Sequence, residues 1–166
     1  MDKEKVTYTT ASKVILTAFY ILAPSLVLAN EDTFQTSLTL LSPITLTMQN
    51  SLSFPAVIAG ENKTLITHPA SSDAVIFSAT GESSAPVTGT VVESFVVMKT
   101  GSGLDESEKI QVDSFITGGE LSTDGTGIFD TNGELSNLRI GASAHIEEND
   151  VPGDYSSTAT FRLTYN

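Results

Sequence analysis

Apolar and polar residues alternate most regularly at the end of the chain. Tyr155, Ser157, Ala159, Phe161, Leu163 and Tyr165 are separated by Ser156, Thr158, Thr160, Arg162 and Thr164. A period of two marks a strand with one face in a core and the other in water. The same signal, or a short apolar run rich in Val, Ile, Thr and Phe, predicts further strands. They fall at Phe34–Leu40, Ile44–Met48, Ser51–Ile58, Thr64–Thr67, Ala74–Ala79, Val87–Lys99, Lys109–Thr117, Ile128–Phe129 and Asn137–Glu147. Between them sit Gly60-Glu61-Asn62, Gly101-Ser102-Gly103, Gly118-Gly119, Asp124-Gly125 and Asn132-Gly133. The last two are dipeptides that tolerate the positive φ of tight hairpins. No clean helical period runs longer than ten residues. Many short strands with such turns predict one all-β domain, an immunoglobulin-like β-sandwich.

The first residues follow another pattern. Lys3, Lys5 and Lys13 precede Val14–Leu28, fifteen almost wholly apolar residues, too few to cross a hydrocarbon core about 30 Å thick. The run closes on Val27-Leu28-Ala29, the small-residue ending of a secretory signal peptide. The expected organisation is therefore a signal peptide over 1–29, a one-faced arm over 30–42 and a sandwich over 43–166. Cleavage leaves 137 residues (166 − 29), enough for a real core. The signal removes three of eight basic and two of twenty acidic residues, so the mature charge is (8 − 3) − (20 − 2) = −13. That balance opposes binding to nucleic acid or to anionic membranes. With no cysteine, neither disulfides nor thiol chemistry contributes.

Little in the sequence points to catalysis. His68 and His145 are the only histidines. His145 alternates with Ile140, Ala142, Ala144 and Ile146 and is expected on the solvent face. No G-x-S-x-G elbow occurs. The loop Ser122–Ser136 gathers Asp124, Asp130, Asn132 and Glu134. Their spacing could suit a weak calcium site, but Gly133 and Glu134 stand at the wrong positions for a twelve-residue calcium loop, and two acidic hairpin turns are the simpler expectation. A secreted hydrolase would have to rest on His145 or Asp130. No enzyme activity and no cofactor are expected.

Straight after the expected cleavage point, Phe34, Thr36, Leu38 and Leu40 alternate with Gln35, Ser37 and Thr39, and Ser42-Pro43 breaks the run. Such a strand can pair within its own domain or serve another molecule's sheet. Three stretches carry a resemblance to a known family: SLSFPAVIAG (Ser51–Gly60), KIQVDSFITGG (Lys109–Gly119) and LRIGASAHIEENDVPGDYSSTATFRLTYN (Leu138–Asn166). The chain resembles the pilin subunits of the chaperone–usher route, above all the archaic, spore-coat-like branch, and a related family of bacterial secreted β-sandwich domains. Gly153, fourteenth from the end (166 − 153 + 1), and the penultimate Tyr165 match the family's habit. The missing cysteine pair and Thr36 in the arm depart from it.

The resemblance implies a sandwich that is incomplete and is finished by a strand from another subunit. Phe34, Thr36, Leu38 and Leu40 would be the donor residues. Gly153, Tyr155, Phe161, Leu163 and Tyr165 would mark the acceptor edge, read first by a periplasmic chaperone. It further implies an outer-membrane usher, neighbouring copies as partners, and a fimbria on a Gram-negative cell surface serving adhesion or biofilm formation. The alternative is a self-complete secreted sandwich acting as an adhesin or carbohydrate-binding module.

Overall fold

A computed structural model describes residues 31–166; the expected signal peptide lies outside the described residues. The chain divides into Met1–Leu38 and Thr39–Asn166. Of the first unit, residues 31–38 are described, and no strand is assigned to them. Strand Phe34–Leu40 is thus not formed. A one-faced strand gains its stability from a neighbour's ladder, and none pairs with it among the described residues.

The second unit is all-β, two curled antiparallel sheets in a β-sandwich. Its strands are β1 (Thr45–Asn50), β2 (Lys63–Thr67), β3 (Val75–Thr80), β4 (Pro86–Val91), β5 (Phe95–Lys99), β6 (Lys109–Gly119), β7 (Thr126–Ile128), β8 (Glu134–Ile146) and β9 (Phe161–Tyr165). The larger sheet runs β1-β3-β8-β6-β5, with β2 also paired to β8; the smaller runs β7-β4-β9.

β8 is the spine. One of its edges pairs with β6, while the other serves β3 as far as Ile140 and β2 from Ala142 onward. Gly141 stands at the handover, where an added Cβ would collide with the Thr67 carbonyl and the Pro69 ring. In β6 the alternation changes phase. Ile110 and Val112 point inward, Ser114 takes φ 52°, and Phe115 and Thr117 then turn in. That is a β-bulge, one extra residue that bends the strand.

Two apolar clusters form the core. One joins Leu65, Ile110, Val112, Ala142, Ala144 and Ile146. The other joins Ala79, Val87, Leu121, Phe129, Leu135 and Leu138.

Three further expected strands need correction. Ser51–Ile58 makes no strand. Leu52 and Phe54 do pack on the first cluster, so their alternation reports burial without pairing, and Pro55 lacks the N–H a ladder needs. Val87–Lys99 is two strands, β4 and β5, in different sheets, parted at Val92-Glu93-Ser94. Tyr155–Tyr165 shortens to Phe161–Tyr165, and Ser156 instead bridges Lys99 at the end of β5. This last segment therefore starts on one sheet and finishes on the other.

Candidate functional site

The site begins with which backbone groups of β9 are used. Asn166 N–H donates to the Pro86 carbonyl, and Val92 N–H donates to the Thr160 carbonyl. The register with β4 is unbroken from Phe161↔Val91 to Tyr165↔Val87. In an antiparallel pair, residues alternate between bonding the neighbour and facing away. Residues 160, 162, 164 and 166 therefore serve β4. The N–H and C=O groups of Phe161, Leu163 and Tyr165 point to the outer edge, which has no partner strand among the described residues.

Side chains of the same three residues turn toward the core. Phe161 stacks on Phe77 of β3, with ring centroids 5.1 Å apart. Leu163 and Tyr165 lie half-buried on the second cluster beside Ile44 and Leu46. Two glycines make room: a Cβ at Gly89 would stand 2.6 Å from the Phe161 ring, and one at Gly81 2.5 Å from the Tyr165 hydroxyl. Because β1 is the outermost strand of its sheet and packs on the same cluster, β1 and β9 border one side of the sandwich.

A groove of about 380 Å³ opens between the layers at the Phe161 end of β9, lined by Met48, Phe77, Val96, Met98, Phe115 and Phe161 among others. It adjoins a second hollow of about 490 Å³ that shares Leu52, Phe54, Met98 and Tyr155. Groove-lining side chains are mostly half-buried, whereas Leu138 in the second cluster is 0% exposed. Apolar surface left open in this way favours an occupant that covers it.

At the β9 end, three residues close a ring of hydrogen bonds. Ser42 donates its N–H (3.0 Å) and its hydroxyl (2.8 Å) to one Glu82 carboxylate oxygen. Tyr165 accepts at its hydroxyl from Glu82 N–H (2.6 Å) and donates to the Ser42 carbonyl (2.7 Å). The Ser42 N–H, and after it the Ser42 hydroxyl, hold the Glu82 carboxyl below its ordinary value. Ser42 and Glu82 are a part of the site that pattern reasoning missed. Neither belongs to an alternating run, and only the Ser42-Pro43 break marked the place.

The expected acceptor residues separate into two groups. Phe161, Leu163 and Tyr165 share one face of β9. Gly153 and Tyr155 stand at the other end, before the chain crosses between sheets. A Cβ on Gly153 would strike the Thr100 side chain, so local packing disfavours a larger residue there. Tyr155 packs on the first cluster and shares its one hydroxyl proton between the Val151 (2.7 Å) and Ser107 (3.0 Å) carbonyls. Burial, followed by the Asp150 and Glu108 charges, raises its phenol above the usual range. Of the donor residues, Phe34, Leu38 and Leu40 are 86%, 84% and 84% exposed, and Thr36 is exposed too.

The remaining candidates resolve into local structure. His145 lies half-exposed on the outer sheet face, its Nε2 2.9 Å from Asp113 Oδ1 and its Nδ1 3.3 Å from Thr64 Oγ1. The bond to His145, and then those to Gln111 and Ser114, lower the Asp113 carboxyl. This Thr-His-Asp line runs between facing strands, β2, β8 and β6. His68 is exposed. Asp124 is held by Ser122 and Thr126, whose hydrogen bonds lower its carboxyl in that order. Asp130 accepts from the N–H groups of Glu134 and Asn132, both at 2.8 Å, and Glu134 is the larger cause of its lowered carboxyl. Each Asp organises its own turn. Among the described residues, no three His, Cys, Asp or Glu side chains converge to hold a metal.

No protein-family model matches this chain, and neither does any curated protein or solved structure.

Proposed function

We propose that the protein is a structural subunit of a bacterial surface pilus, polymerised by donor-strand exchange. The observation that carries this reading is the outer edge of β9. It presents the free backbone groups of Phe161, Leu163 and Tyr165, with an open apolar groove at its Phe161 end, while the same chain carries an exposed one-faced segment at Phe34–Leu40. An extended segment from a second copy would pair with those backbone groups for affinity and send Phe34, Leu38 and Leu40 into the groove for register. Burying each such side chain is worth about 1.5–3 kcal/mol, and together with the new backbone hydrogen bonds this offsets the entropy of ordering a short arm, about 1–2 kcal/mol per residue. Arm and groove are different surfaces, so the contact is heterologous and extends into a fibre. Before assembly the groove needs a protective strand, the role of a periplasmic chaperone, with an outer-membrane usher to release it. Adhesion and biofilm formation follow as the purpose of the fibre, and no cofactor is called for.

The test is to export the mature chain, Asn30–Asn166, to a periplasm and run it unboiled on a denaturing gel beside a version lacking Asn30–Leu41. A heat-labile ladder that disappears with the arm is expected. A single monomer band, with cooperative melting that the deletion destroys, would assign the arm to its own sandwich and favour a secreted adhesin or sugar-binding module.

A further inference from the structure

Every polar group of Ser42 is engaged. Its N–H and hydroxyl go to Glu82, and its carbonyl goes to Tyr165 at the end of β9. Pro43 follows, has no N–H to offer, and confines Ser42 to extended backbone. These two residues join the arm to β1. For the arm to lie in its own groove along β1, the chain would have to reverse at Ser42–Thr45. In such a turn the Ser42 carbonyl closes onto the N–H of Thr45; a carbonyl oxygen can accept two bonds, but the Tyr165 hydroxyl already fixes the direction in which this one points. The Ser42 N–H, which would start the new ladder, is held by Glu82.

We infer that Ser42, Glu82 and Tyr165 form a lock at the arm's root that opposes insertion of the arm into its own groove and leaves it for a second copy. The inference rests on the donor-strand reading. Glu82 and Tyr165 act through Ser42 and are positioning residues; they decide between insertion in cis and in trans. The penultimate tyrosine thus gains a task inside its own subunit, since its ring lies on the second cluster while its hydroxyl donates to Ser42 at the root of the arm.

Amide hydrogen exchange on dilute, monomeric protein separates the outcomes, because the Leu163 amide faces the outer edge of β9 and becomes protected only when a strand fills it. In the unaltered protein Ser42 should exchange slowly and Leu163 fast. In Glu82→Ala, and in the milder Tyr165→Phe, Ser42 should speed up at least about tenfold and Leu163 should slow by a similar factor. Deleting the arm from either variant should make Leu163 fast again. A fast Ser42 in the unaltered protein, or a Leu163 that ignores both variants, overturns the lock. A synthetic peptide of residues 31–41 added to the arm-less protein is the control. If it protects Leu163 while the variants do not, the lock alone fails. If it never protects Leu163, the donor-strand reading fails and the lock falls with it.

Discussion

β8 and β9 were written in the same alternating script and have met opposite fates. Leu138, Ile140, Ala142, Ala144 and Ile146 of β8 are buried, because strands pair along both of its edges and the opposite layer covers its inner face. Phe161, Leu163 and Tyr165 of β9 also face inward, yet they remain half-buried, since β4 is the sole partner of β9 among the described residues. Alternation records which face of a strand is apolar. It does not record how many neighbours the strand has, and that second quantity is what separates β9 from β8.

The contrast can be broken most directly by truncating matched leucines. Leu138→Ala should cost the isolated subunit about 2–5 kcal/mol, the range for a fully buried leucine. Leu163→Ala should cost about 1 kcal/mol. Urea unfolding of both, with m-values compared, checks this; equal losses would mean that the β9 side is as well covered as the β8 side.

A smaller effect is expected where the final segment leaves β5. Gly153→Ala forces a methyl against Thr100 and should cost about 1–3 kcal/mol as overpacking. Thr100→Ala, made together with it, should recover most of that loss in a double-mutant cycle. Recovery would assign Gly153 to packing. An undiminished loss would assign it another task, such as contact with a chaperone.

The smallest effect concerns pH. Six carboxyls, Glu82, Glu93, Glu108, Asp113, Asp124 and Asp130, are held below their ordinary values. The leading causes are hydrogen bonds from Ser42, Thr160, Ser102, His145, Ser122 and Glu134 respectively. A group whose folded pKa is depressed adds stability above its unfolded pKa and loses it as pH falls through the folded one. Melting temperature should therefore be flat near neutrality and decline below about pH 4. Solvent screens all six, so the slope should be shallow. Asp113→Asn should flatten it slightly; an unchanged slope in that variant would exclude the His145 contact as a source.

The sandwich itself was legible in the sequence because burial and period survive without knowledge of partners. The β6 and β8 runs fall nearly where alternation places them, and the bulge at Ser114 shows as the change from Ile110 and Val112 to Phe115 and Thr117. Reading failed where an apolar pattern is buried without a ladder, as at Leu52 and Phe54, or where a run crosses between layers, as at Val92–Ser94. Of the groove, the β9 face was legible. The lock was not, since Ser42 and Glu82 lie 40 positions apart and meet Tyr165 only through the fold.

The final segment touches both layers. Ser156 is joined to β5 at Lys99, and Phe161–Tyr165 is laddered to β4. If the proposed head-to-tail filament forms, tension would arrive along an inserted strand lying beside β9 and pass into the subunit parallel to its strands. Hydrogen bonds loaded along the strand axis yield together, whereas those at a peeled end yield one after another. A segment stitched to two sheets would also spread the pull over the whole subunit. The crossover that looked like an interruption in the strand would then act as the fibre's mechanical splice.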